Sequence, residues 1–249
     1  MRQVNATRYV TALREGGSLP GLVEADDDGL YVVKFRGAGQ GPGALVSEVI
    51  AGELGRAIGL NVPELVTVRV APELGHAEPD PEIQDLIEAS LGLNLGMDFL
   101  PGALPFDAAG GSSVNPDEAA AIVWFDWLTT NIDRTPRNPN LLTWHGKVRL
   151  IDHGAAFFRQ HGPVPLSLTA GRPTPMLAEH VLLPHAGSLS DAAERLTGAA
   201  RAATDAAVES VPSEWLGPDP EGASEQFRLF LGSRLENRDQ IEKDLEPNA

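Results

Sequence analysis

Strand-like alternation crowds the first hundred positions and helical periodicity takes over beyond them, so sheet and helix must form as separate blocks, an α+β organisation. In RYVTALREGGSLPGLVEADDDGLYVVKF, short β-type runs break at GGSLPG (16–21) and at DDDG (26–29), where Gly, Pro and Asp supply the turns. ALVSEVIAGELGRAIGL then sets Leu45, Val49, Leu54, Ala57 and Ile58 on helical spacing and reads as a largely buried helix. PELVTVRVAPEL returns to alternation, and LGLNLGMDFLPGA reads as a strand running into a turn. The order predicted for the first hundred residues is β, β, β, α, β, β. Beyond AAGGSSVNP (108–116), DEAAAIVWFDWLTTN predicts a helix capped by Asn115 or Asp117, with Pro116 in its first turn. DAAERLTGAARAATDAAVESV and EQFRLFLGSRLENRDQIEKDL predict two more helices, separated by the loop PSEWLGPDPEG.

At 249 residues the chain is long enough for one large domain or two lobes, and 42% hydrophobic with 22% charged residues predicts a packed core. Thirty-five acidic against 19 basic residues give a net charge of −16, which repels the phosphate backbone of nucleic acid, and no basic patch offsets it. No run of about 18 apolar residues and no signal-peptide stretch is present, so the expectation is a cytoplasmic protein without a membrane span. The chain has no cysteine, which excludes disulfides, thiolate metal sites and cysteine nucleophiles.

Chemistry-bearing residues recur in a fixed order: Lys34 in the apolar run YVVKF, Glu48 on the next helix, Asp133 and Asn138 in TTNIDRTPRNPNLL, and Asp152 with Gly154 in LIDHG. Each alone has an ordinary reading: a strand lysine with its stem along apolar surface, a solvated helix face, a polar turn, a strand end. Together they supply what nucleoside-triphosphate phosphoryl transfer needs, namely a cation on the phosphates, a carboxylate to anchor it, a base for the acceptor and oxygen ligands for magnesium. Asp133 and Asn138 lie five positions apart in a loop kept irregular by Pro136 and Pro139, so both short side chains can face one ligand. Asp152 follows the strand-like KVRLI, whose end would aim it at the metal while Gly154 relaxes the backbone. Glu53 rivals Glu48 as the partner of Lys34.

These segments, over about residues 8 to 160, resemble the HipA-like kinases, relatives of the phosphatidylinositol 3- and 4-kinases. The resemblance implies a two-lobed protein-kinase-like fold with an antiparallel-sheet N-lobe at residues 1–100 and a mainly helical C-lobe at 101–249. It implies ATP and Mg2+ as cofactors and transfer of the γ-phosphoryl group to a hydroxyl of a protein, lipid or small molecule, most simply a protein Ser or Thr. Lys34 would hold the α- and β-phosphates, Glu48 would orient Lys34, Asp133 would be the catalytic aspartate, and Asn138 and Asp152 would bind metal. EGGSLPG would cover the phosphates through Gly16, Gly17, Ser18 and Gly21, and the backbone of Met97, Asp98 and Phe99 would read adenine. The chain departs from relatives at Thr135 and His153, neither of which removes a ligand, and it has no A-P-E segment after Asp152. Longer toxin kinases of this type carry an extra amino-terminal region, so toxin activity and an antitoxin partner are not expected.

No G-x-x-x-x-G-K-[ST] occurs, against a P-loop NTPase. His180 and His185 read as structural, because Pro184 interrupts their segment and no carboxylate cluster completes a metal site. Trp124, Phe125 and Trp127 read as core, and Asp126 among them as buried against the catalytic loop, with no partner assignable. Two other functions stay open: a small-molecule phosphotransferase of the aminoglycoside-kinase type, and a non-catalytic nucleotide-binding regulator.

Overall fold

Alternation in the first block closes a barrel. The computed structural model describes residues 1–13, 19–38, 41–75, 78–107 and 114–245. Strands β1 (Arg2–Ala12), β2 (Gly21–Ala25), β3 (Leu30–Lys34), β4 (Leu65–Val70) and β5 (Gly92–Asp98) pair in the order β1-β2-β3-β5-β4 and back to β1. Val4, Val23, Tyr31, Val33, Val66 and Val68 fill the interior. Gly96 is required there, because a Cβ would lie 2.6 Å from a Val68 methyl and 2.9 Å from one of Val66.

Two expectations for this block are corrected. The sheet is not wholly antiparallel: β1 runs parallel to β4, from Arg2 opposite Val66 to Asn5 opposite Arg69. Alternation reports which face is buried and is blind to strand direction and neighbour, so the closing pair was not readable. A second helix is also present. Helix α1 (Gly41–Ala57) is joined by α2 (Pro81–Ala89), whose N-cap Asp80 accepts from the Glu82 N–H and whose Ile83 and Ile87 join the barrel core. Ile83, Leu86 and Ile87 are one helical turn of apolar spacing, too short a stretch to register as a period.

The chain forms two compact units, Met1–Leu45 with Pro63–Pro101, and Val46–Val62 with Gly102–Ala249. The division is not a single cut at residue 100, because most of α1 belongs with the second unit. Ser47 Oγ donates to the Ala156 carbonyl at 2.8 Å, and a Cβ on Gly55 would come within 3.3 Å of the Phe125 ring. Ala57, expected on the apolar stripe, is exposed.

The second unit is built on α3 (Pro116–Leu128). Asn115 caps it by accepting from the Asp117 N–H at 2.8 Å, and every residue from Ala119 to Leu128 is buried. A helix apolar all round must be surrounded, and α4 (Leu189–Glu209) and α5 (Pro220–Glu236) pack on it. Strands β6 (Leu104–Pro105), β7 (Leu141–Trp144) and β8 (Lys147–Leu150) form a small antiparallel sheet. The β7–β8 turn is His145-Gly146, both at positive φ, the geometry that matches strand twist in a two-residue hairpin. The helix predicted over 225–245 breaks after α5 and resumes as α6 (Gln240–Leu245), where Asp244 accepts from Trp127 Nε1 at 3.0 Å and the Thr174 N–H at 3.1 Å.

Candidate active site

The loop after α3 is irregular for reasons its residues supply. Thr130 turns left-handed at φ +49°, and Pro136 and Pro139 forbid continued helix. Thr135 and Asn138 exchange backbone hydrogen bonds, each at 3.1 Å, which folds the five-residue spacing back on itself. Asn138 Nδ2 thereby donates to Asp133 Oδ2 at 2.7 Å. Asn140 Nδ2 reaches the same oxygen at 3.3 Å and the Asp152 carbonyl at 3.5 Å. The Ile151 N–H donates to the Asn140 carbonyl at 3.1 Å, so the loop and the segment after β8 are stitched together through one asparagine. Asp133, Asn140 and Asp152 are half-buried and Asn138 is exposed. Asn140 was absent from the sequence reading; a second asparagine two positions after Asn138 was its only signal.

Asn140 and Asp152 both adopt left-handed backbone, φ +48° and +54°. Asn and Asp tolerate that region better than other residues with a Cβ. The conformational release expected from Gly154 thus sits at Asp152 itself, and Gly154 is not among the positive-φ residues.

Beneath the loop lies a buried ionic group. Arg134 Nε donates to Asp126 Oδ2 at 2.5 Å, and His180 Nε2 meets the same oxygen at 2.9 Å. Asn131 Nδ2 donates to Asp126 Oδ1 at 3.1 Å, and Asn131 Oδ1 accepts from the Asp133 N–H at 3.2 Å. Arg134 Nη1 also donates to the Asn140 carbonyl. Burial alone would raise the Asp126 carboxyl, but Arg134 and His180 outweigh it and hold it below the ordinary carboxylate range. Asp126 was expected to be buried; its partners, eight and 54 positions away, carried no signal in the sequence.

Glu48 and Glu53 separate clearly. Glu53 faces outward and pairs with Arg56 at 3.1 Å. Glu48 is buried, 3.7 Å from Nδ1 of the equally buried His153, whose ring stands edge-on to Phe125. Ser47, beside it, is linked to Gln160 and to the Ala156 carbonyl. The N-terminal part of the second unit's α1 is therefore fixed to the segment that follows Asp152.

The remaining predicted residues lie in the barrel unit. Lys34 ends β3, half-buried, opposite Leu95 of β5 and on the same strand face as Leu30 and Val32. Met97 pairs with Val32 on one side and Leu65 on the other. The Asp98 N–H donates to the Glu64 carbonyl and the Phe99 N–H to the Leu30 carbonyl, each at 2.9 Å. Those two donors are used within the barrel, which leaves the other backbone groups of Met97 to Phe99 for the adenine reading. Burial, then the nearby Glu64 charge, raises the Asp98 carboxyl. Gly16, Gly17 and Ser18 lie outside the described residues.

Among the described residues no three His, Asp or Glu side chains gather as a metal cluster. Magnesium beside a nucleotide takes one or two carboxylates and completes its shell with phosphate oxygens and water. The Asp152 carboxylate and the Asn138 amide oxygen, hard donors on two stitched segments, fit that sparse demand.

The family model of the HipA-like kinases matches residues 7–237. No curated protein matches the chain. Among solved structures, that of a Helicobacter pylori proinflammatory kinase, CtkA, is similar at a TM-score of 0.62, with 12% identity and 98% of each chain covered. That likeness carries the mixed α+β fold, while the family match over nearly the whole chain carries the activity. The chain belongs to the HipA-like kinases.

Proposed function

We propose that this kinase uses ATP with magnesium and passes the γ-phosphoryl group to the hydroxyl of a protein serine or threonine. The bond from the γ-phosphorus to the β,γ-bridging oxygen breaks, and its electron pair leaves with ADP. A bond from the acceptor oxygen to the γ-phosphorus forms, and the hydroxyl proton moves to the Asp133 carboxylate. Lys34 holds the α- and β-phosphates and Glu48 orients it. Gly16, Gly17 and Ser18 cover the phosphates; the barrel unit serves the nucleotide and the helical unit the acceptor. Asp152 and Asn138 hold magnesium, which when bound neutralises charge on the phosphate oxygens.

The observation that carries this reading is the Asn140 amide shared between the Asp133 carboxylate and the Asp152 carbonyl, at 3.3 and 3.5 Å. A loop base and a metal-binding segment so joined can address one triphosphate, and the Asn138 contact orients the base. The net charge of −16 favours a basic acceptor surface.

The test is incubation of purified protein with magnesium and γ-labelled ATP, with and without lysate. Label on proteins is the expected result. Label only on added small alcohols would replace it with a small-molecule phosphotransferase, and nucleotide binding without transfer would make the chain a regulatory module.

A further inference from the structure

We infer that His180 is a positioning residue for the proposed phosphoryl transfer, acting through Asp126 to hold Asp133 and Asp152 in register. The inference rests on the functional reading above and deepens it.

Residues 180–182 make one contact with α3 and one with the loop, and a third bond within the segment orients the ring. His180 Nδ1 accepts from the Leu182 N–H at 3.0 Å, which fixes the ring proton on Nε2 and makes that nitrogen a donor to Asp126 Oδ2 at 2.9 Å. The Val181 N–H donates to the Arg134 carbonyl at 3.0 Å. The ring, Arg134 and Asn131 thus converge on one buried carboxylate with no exposure to solvent.

From Asp126 the contacts lead to both proposed functional groups. One route runs through Asn131 to the Asp133 N–H. The other runs through Arg134 to the Asn140 carbonyl, and Asn140 in turn donates to Asp133 Oδ2 and the Asp152 carbonyl. The ring's hydrogen bonds go to Asp126 and the Leu182 N–H, so it acts on the proposed catalytic and metal-binding groups through Asp126. Its distance along the chain, 54 residues from Asp126, means that the segment ending in Pro184 sets the loop from outside the motif. Catalytic rates fall steeply when reacting groups shift by fractions of an ångström, so loosening this clamp should act on turnover more than on nucleotide affinity.

Two near-isosteres separate the ring's two contacts. In His180→Gln the amide nitrogen can reach the Nε2 position and keep the donor to Asp126. In His180→Asn the amide oxygen can take the Nδ1 position and keep the Leu182 contact, while the Asp126 contact is lost. Phosphate release from γ-labelled ATP with magnesium, and label on myelin basic protein, would be followed alongside thermal melting. His180→Asn should lower kcat by about tenfold to a hundredfold with KM for ATP within about twofold, as loss of a buried hydrogen bond to a charged group implies. His180→Gln should stay within about threefold of the parent, at a melting temperature similar to that of His180→Asn. Equal kcat in the two variants overturns the inference while leaving the kinase reading intact.

A parent without any transfer overturns the kinase reading instead. The clamp is then judged by hydrogen exchange at the Asp133 and Ile151 amides: faster exchange in His180→Asn than in His180→Gln supports it, and equal exchange overturns it. If His180→Asn does not fold, Arg134→Lys takes its place, since one ammonium cannot span Asp126 and the Asn140 carbonyl. Lower kcat at unchanged KM for ATP supports the clamp, and parental kcat overturns it.

Discussion

Left-handed backbone at Asp152, φ +54°, makes the choice of substitution there informative. Asp152→Asn keeps a side chain suited to that region and removes the charge, whereas Asp152→Ala also adds about 1 kcal/mol of backbone strain. Both should lower phosphoryl transfer by about a hundredfold or more if Asp152 anchors the metal. Urea denaturation should show Ala the less stable of the two, and equal midpoints would contradict the strain argument. At Asp126 the expectation concerns pH. Its carboxyl is held below the ordinary range, so its stabilising contribution is complete above the unfolded value of about 3.9 and is lost as pH falls through the lower folded value. Asp126→Asn leaves Arg134 buried without its counter-charge and should cost about 3–5 kcal/mol at neutral pH. Denaturation at neutral and acidic pH should show the gap between variant and parent narrowing below about pH 4. The contact between Asp133 and Asn138 was readable because their spacing is local. Arg134 and His180 were not, since a buried hydrogen bond to Asp126 from eight or 54 residues away leaves no periodic trace.

Among the elements, those with strong local signals matched expectation. Helix α3 follows from its Asn-Pro start and apolar run, and strand β8 from the alternating KVRLI. Helix α2 escaped because its apolar face, Ile83, Leu86 and Ile87, spans a single turn, and the break between α5 and α6 escaped because no Gly or Pro marks it. Asp244 explains that break: α6 turns to bring its carboxylate to Trp127 and Thr174. In the barrel, β5 depends on the missing side chain of Gly96. Gly96→Ala should destabilise by about 1–3 kcal/mol through overpacking, read as a lower urea midpoint. Adding Val68→Ala, which clears the methyl 2.6 Å from the new Cβ, should recover part of that loss. No recovery would mean the clash is elsewhere.

For the whole molecule, the net charge of −16 acts on encounter rather than on fold. If the acceptor is a basic protein surface, label transfer to it should fall as ionic strength rises from about 0.05 to about 0.3 M, because screening shortens the reach of surface charge to less than 10 Å. Phosphate release to water under the same conditions should change little. A parallel fall in both would point to an effect on nucleotide binding instead.

Sequence alone determined what depends on near neighbours: the strand block and the helical block, the irregular loop that brings Asn138 to Asp133, and the kinase family. Tertiary structure decided that the barrel closes through a parallel β1–β4 pair, that most of α1 joins the helical unit, and that Asp126 gathers Arg134 and His180 beneath the loop. The physical reason is the same in each case. Periodicity records which face of an element is buried, while the identity of what buries it is fixed only when distant segments compete for the same space and the same buried charge.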